Sequence, residues 1–167
     1  MQTPICEVCL KSDILCSACQ EKLDKGLVSK IEVDVLRFLY NLSGDMKSLR
    51  DVKISKIVDC GVLLIIAGRG YAARLVGKGG SVVKAIAKQF KKSVRVSEEA
   101  TNFKEFIEGL LSPAPVNGIN TLYKDNEEIY KIRVPAVQKN HMIFTPESLS
   151  QIISNFYNLK AEIVFEG

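Results

Sequence analysis

An α+β fold, with two copies of one α-β-β-α-α-β plan behind a small four-cysteine segment, is what this 167-residue sequence predicts. Three observations carry that expectation. Hydrophobic periodicity switches between the helical and the strand repeat in the same order twice. The inward positions of the copies coincide when the chain is shifted by 67 residues, so that Ile65 falls on Ile132 and Ile86 on Ile153. Two Cys-x-x-Cys pairs precede both copies. The expected divisions are 1–26, 27–99 and 100–167.

In the first division, Cys6-x-x-Cys9 is followed after six residues by Cys16-x-x-Cys19. Each pair sets two thiolates on one turn, and the short connector lets the pairs converge on a tetrahedral metal. One structural zinc ion held by Cys6, Cys9, Cys16 and Cys19 is expected, with a disulfide pair or an iron–sulfur cluster as alternatives. So short a segment cannot bury enough apolar surface to fold alone, so metal decides whether it folds. Its loss is expected to disorder about 25 residues and leave the modules behind them intact. A fifth cysteine, Cys60, sits at an expected hairpin turn and has no assigned chemistry.

The first copy opens with Ser29-Lys-Ile-Glu32, a capping box, followed by the apolar stripe Ile31, Val35, Phe38, Leu39, Leu42. Val52 and Ile54 alternate with Lys53 and Ser55 in a strand, a turn follows at Asp59-Cys60-Gly61, and Val62–Ala67 is apolar enough for a central strand. A short helix over Tyr71–Val76 reaches Gly77-Lys78-Gly79-Gly80. The next helix buries Val82, Val83, Ile86, Ala87 and Phe90, and Val94 and Val96 supply the last strand.

In the second copy, Asn102 and Glu105 cap a helix ended by Ser112-Pro113-Ala114-Pro115. Val116–Tyr123 and Ile129–Val134 form a hairpin about Lys124-Asp125-Asn126. A helix from Pro146 to Tyr157 precedes a strand with Ala161, Ile163 and Phe165. The only histidine, His141, is expected on a short helix.

Charge locates the candidate site. Net charge is only +4, yet Arg69, Arg74, Lys78, Lys84, Lys88, Lys91, Lys92 and Arg95 form a run without a carboxylate. Residues 101–167 carry six Lys/Arg against eight Asp/Glu, a balance of −2. A glycine turn opening a helix presents backbone N–H groups and the positive end of the helix dipole to an anion. Surrounded by cations, it suits a phosphodiester strand. In the second copy Phe144-Thr145-Pro146-Glu147 occupies that place, with a carboxylate where a phosphate would sit, so this copy is expected to be degenerate.

Val76-Gly77-Lys78-Gly79-Gly80-Ser81, set between two helices with leading α-β elements, resembles the KH family in its type II form. Two tandem modules are similar to the RNA-binding portion of NusA-like transcription elongation and termination factors, in particular archaeal ones; the cysteine pairs are not a feature of the bacterial members. The resemblance implies a single-stranded RNA-binding protein. Gly77, Lys78, Gly79 and Gly80 would clamp the RNA backbone, with Arg69, Arg74, Lys84 and Lys88 as further phosphate contacts. Val76 and Val82 would line a groove for bases, with a plain core role as the alternative for both. The competing expectation is an adaptor that docks on RNA polymerase or a ribosomal particle through the cysteine segment and second module.

Other chemistries fit less well. Gly68-x-Gly70-x-x-Ala73 matches a dinucleotide fingerprint, but the first acidic residue beyond it is Glu98, well past the usual place about 20 residues on. The Gly77 turn lacks the Ser or Thr of a phosphate-binding Walker loop. No carboxylate cluster adjoins the basic run, so no enzyme and no small-molecule substrate are expected. No apolar run nears the roughly 20 residues of a membrane span, and the start lacks a secretory pattern, so a cytoplasmic location is expected.

Overall fold

The computed structural model describes residues 1–167, which divide into two compact units, Met1–Glu99 and Ala100–Gly167. The first contains helices α1 (Glu7–Lys11), α2 (Ser17–Asp24) and α3 (Lys30–Asp45), strands β1 (Ile54–Asp59) and β2 (Leu63–Ala67), helices α4 (Ala72–Val76) and α5 (Ser81–Phe90), and strand β3 (Val94–Glu98). The second contains α6 (Phe103–Leu111), β4 (Gly118–Lys124), β5 (Glu127–Pro135), α7 (Pro146–Tyr157) and β6 (Lys160–Glu166). No helix is long and apolar enough to cross a membrane.

Each unit holds a three-stranded sheet, in the orders β1-β2-β3 and β4-β5-β6. In both, the first pair is antiparallel and the second parallel. The parallel registers coincide under the 67-residue shift: Ile65 pairs Val96 as Ile132 pairs Ile163, and Ala67 pairs Glu98 as Val134 pairs Phe165. Ile86 and Ile153 are both fully buried. The helices before the last strands also end alike, on Lys91 and Asn158, each left-handed at φ 53°. The hairpins differ, since Ile57 opposes Ile65 where Ile119 opposes Ile132. The second connection turns at Asp125 and Asn126, both at positive φ, which suits their short polar side chains.

In the first unit β2 is buried at every position, as a central strand requires. Helices α3 and α5 meet through Phe38 and Phe90, whose rings cross edge to face at 5.7 Å. In the second unit an aromatic cluster borders a mainly aliphatic core: Phe103 lies 5.2 Å from Tyr130 and 5.3 Å from Tyr157, and Phe106 is 5.2 Å from Tyr157. Two expectations need correction. The helix foreseen before α7 shrinks to a single 3₁₀ turn, Ala136–Gln138, led in by Pro135, and His141 stands exposed in the turn beyond it. Residues 1–26 are not a separate body either: Ile5, Cys9, Leu10 and Cys19 share one core with Leu36, Leu39, Val52 and Ile54.

The capping box does more than close α3. Ser29 Oγ accepts from Glu32 N at 3.2 Å, and Glu32 returns to Ser29 N at 3.3 Å. Glu32 is 0% exposed and also accepts from Ile57 N at 2.9 Å and Lys56 Nζ at 3.1 Å, tying α3 to β1. Glu32→Ala leaves the buried Ile57 amide without its acceptor and removes the ion pair of Lys56, which keeps its bond to the Leu27 carbonyl. Chemical denaturation is expected to register a loss of about 2–4 kcal/mol; a loss below about 1 kcal/mol would refute this role.

Candidate metal centre and nucleic-acid interface

Two short helices build the first site in the same way. Cys6 is the N-cap of α1 and Cys9 lies within it; Cys16 is the N-cap of α2 and Cys19 lies within that. The four sulfurs lie within 4.8 Å of one another, with Cys6–Cys9 at 3.4 Å and Cys6–Cys16 at 3.9 Å. Sulfurs at ~2.3 Å from a shared tetrahedral ion stand about 3.8 Å apart, so one metal ion fits the cluster. Backbone amides point at the sulfurs: Cys16 N–H donates to Cys9 Sγ at 3.1 Å and Cys6 N–H to Cys19 Sγ at 3.4 Å. Such donors stabilise negative charge on ligating thiolates.

The thiols differ by depth. Cys9 and Cys19 are buried, Cys6 and Cys16 face solvent. The Cys19 amide, with its neighbouring thiols, lowers Cys16 to about 7. Backbone donation within the cluster lowers Cys6 too. At Cys9 the Cys16 amide favours the thiolate, but burial and three adjacent thiols outweigh it and push the group up to about 12. Burial raises Cys19. A metal ion here displaces protons that the inner pair would otherwise keep. Arg37, on α3, donates through Nε to the Cys9 carbonyl at 3.0 Å. Nothing in the sequence pairs those residues, which stand 28 positions apart.

The second site is the glycine turn. Gly77 has φ 79° and ψ 164°, a region open essentially to glycine. A side chain there would meet Ser81 Oγ at 2.6 Å and the Val82 nitrogen at 2.8 Å. Gly79 (φ 62°) faces open space, and Gly80 (φ 75°) is a left-handed N-cap of α5 without a side-chain cap bond. Lys78 is exposed at the tip. The turn uses part of its own donors: Gly77 N–H bonds Ala73 O, Gly80 N–H bonds Gly77 O, and Ser81 N–H bonds Lys78 O. The Lys78 and Gly79 amides make no bond to another backbone group. The anion-facing donors are therefore fewer than the sequence suggests.

Around the turn, Lys84 folds its stem to 3.7 Å from where a Gly80 side chain would begin. Lys88 is exposed one helical turn further on. Arg74 is exposed on α4, with its guanidinium 5.7 Å from the Tyr71 ring centroid. Arg69 is exposed before α4. Lys92 is drawn off by Asp59 at 3.2 Å, and Arg95 is half-buried on β3. Val76 stays exposed, but Val82 is a core residue at 1% exposure and lines no groove. Glu98, just beyond the end of the basic run, accepts from Ala72 N at 3.2 Å and occupies the N-terminus of α4. In the second unit Thr145 caps α7 by accepting from Ser148 N at 3.1 Å, Pro146 takes the first helical position, and Phe144 is buried.

No family model matches the sequence, and no curated protein does. Among solved structures the chain is similar to the crystal structure of APE1850, at a TM-score of 0.58 and 18% sequence identity, with 78% of this chain and 96% of that one covered. At that identity the likeness concerns the fold alone. The first unit ends at Glu99 of 167 residues, less than 78% of the chain, so the likeness takes in residues of both units.

Proposed function

We propose that this chain is a single-stranded RNA-binding protein of the NusA-like kind, in which the first unit acts as a type II KH module and the second as a degenerate copy. The observation that carries the reading is the Gly77–Gly80 turn. Its first glycine sits where a side chain cannot, its second faces open space, and Lys78 and Lys84 flank amides left unbonded within the backbone. That combination admits a sugar–phosphate chain and rewards its charge. The α-β-β-α-α-β order is the one expected of the module. We read the four-thiolate centre as a structural zinc site, since it is closed and has no non-cysteine ligand.

Titrating a labelled single-stranded RNA across a salt series tests this. Contact with three or four phosphates is expected to give a log–log slope of about −2 to −3. A flat signal would favour the second reading, a docking adaptor for RNA polymerase or a ribosomal particle. Support for it comes from Val8 and Ile14, which are 70% and 78% exposed within the cysteine-bearing segment.

A further inference from the structure

We propose that the metal centre is part of the architecture of the whole first unit, so that loading the ion governs the stability of α3 and the start of β1 as well as that of the cysteine segment. This rests on the metal reading above and extends it to a regulatory consequence. The segment is joined to the unit by two routes that share no residue. The first runs through α3: Leu10 and Cys9 are buried in the core that holds Leu36 and Leu39, Arg37 Nε grips the Cys9 carbonyl at 3.0 Å, and Tyr40 Oη donates to Glu7 at 3.4 Å.

The second runs through the sheet. Gln2, four residues ahead of Cys6, forms a parallel bridge with Lys53: Gln2 N–H donates to Val52 O and Ile54 N–H to Gln2 O, both at 2.9 Å. The Met1 amino group donates to the Arg50 carbonyl. Beyond the bridge, Lys53 O accepts from Gly68 N at 2.9 Å, at the loop that enters α4.

Neither anchor supports itself. Helices α1 and α2 span five and eight residues, well short of the length at which a helix persists in water. What holds them in register is convergence of four sulfurs, two of them buried beside Ile5 and Leu10. Removing the ion frees both helices, uncovers the α3 face carrying Leu36, and releases Gln2 from Ile54. The second unit has a core of its own and serves as an internal reference.

The test uses the full chain under reducing conditions, loaded with Zn²⁺, then stripped with a chelator, then given Zn²⁺ again. Native mass spectrometry counts the ion and peptide-resolved hydrogen exchange reads the amides. Stripping is expected to speed exchange at least tenfold in Lys30–Asp45 and at Ile54, to leave Ile132 and Ile153 unchanged, and to be reversed by Zn²⁺. If the ion binds and stripping affects only residues 1–28, the coupling is refuted while the metal reading stands. If no ion binds, both fall. Faster exchange in the second unit too would also refute the coupling, since the effect would not follow the shared core.

Discussion

Replacing Lys78 and Gly79 together by aspartate is expected to lower RNA affinity at least tenfold while the melting temperature changes little. The turn geometry makes the pair informative. A side chain at Gly79 meets nothing within 4 Å, and aspartate is among the residues that tolerate its φ of 62°. The conformational cost is about 1 kcal/mol. Two carboxylates then stand beside the amides left unbonded within the backbone. The same logic forbids Gly77 as a probe, because a side chain there drives into Ser81 and the Val82 backbone and disturbs the turn itself. Filter binding alongside a circular-dichroism melt checks the result. Unchanged affinity in a folded variant would end the RNA assignment.

Metal affinity is expected to climb steeply with pH. Binding requires four thiolates, and every proton still held by the metal-free protein must leave. With Cys9 pushed up to about 12 and Cys19 raised, the inner pair remains protonated through neutrality. Above about pH 7, where Cys16 has lost its proton, at least two are released per ion, so the apparent constant rises about 100-fold per pH unit. Below about pH 7 Cys16 also holds its proton and the dependence steepens. The sign is fixed: acid expels the ion and alkali retains it. A competition titration against a chromophoric chelator at pH 7.5 and pH 8.5 measures the slope. A slope below one would mean that the buried sulfurs take no part.

Much of this was legible in the sequence where the signal is local. Ser29 and Glu32 announce a helix start because both partners of a capping box lie within one turn. Glu32's grip on Ile57 is silent, because its partner is 25 residues away and is a backbone amide. The repeat was legible for a different reason: burial selects side chains, and Ile65/Ile132 and Ile86/Ile153 keep the same inward duty under one constant shift. The cysteine spacing specified a cluster but not where it would rest, since Ile5 and Leu10 look no different in a free knuckle and in a shared core. Val82 carried two open readings for a like reason, because apolar residues beside a functional turn line grooves and fill interiors with equal ease; burial decides for the interior. Glu98 was counted only as too distant for a nucleotide ribose, and the strand order that folds it back onto Ala72 lies outside any local pattern.

The matched left-handed ends of the helices before the last strands bear on how the basic face is kept. Backbone at φ 53° suits asparagine better than lysine, and Asn158 meets that preference where Lys91 does not. Lys91 therefore holds a cation against its own conformational leaning, at roughly 1 kcal/mol. At this residue robustness and positive potential pull in opposite directions, and the unit bearing the glycine turn has settled on potential.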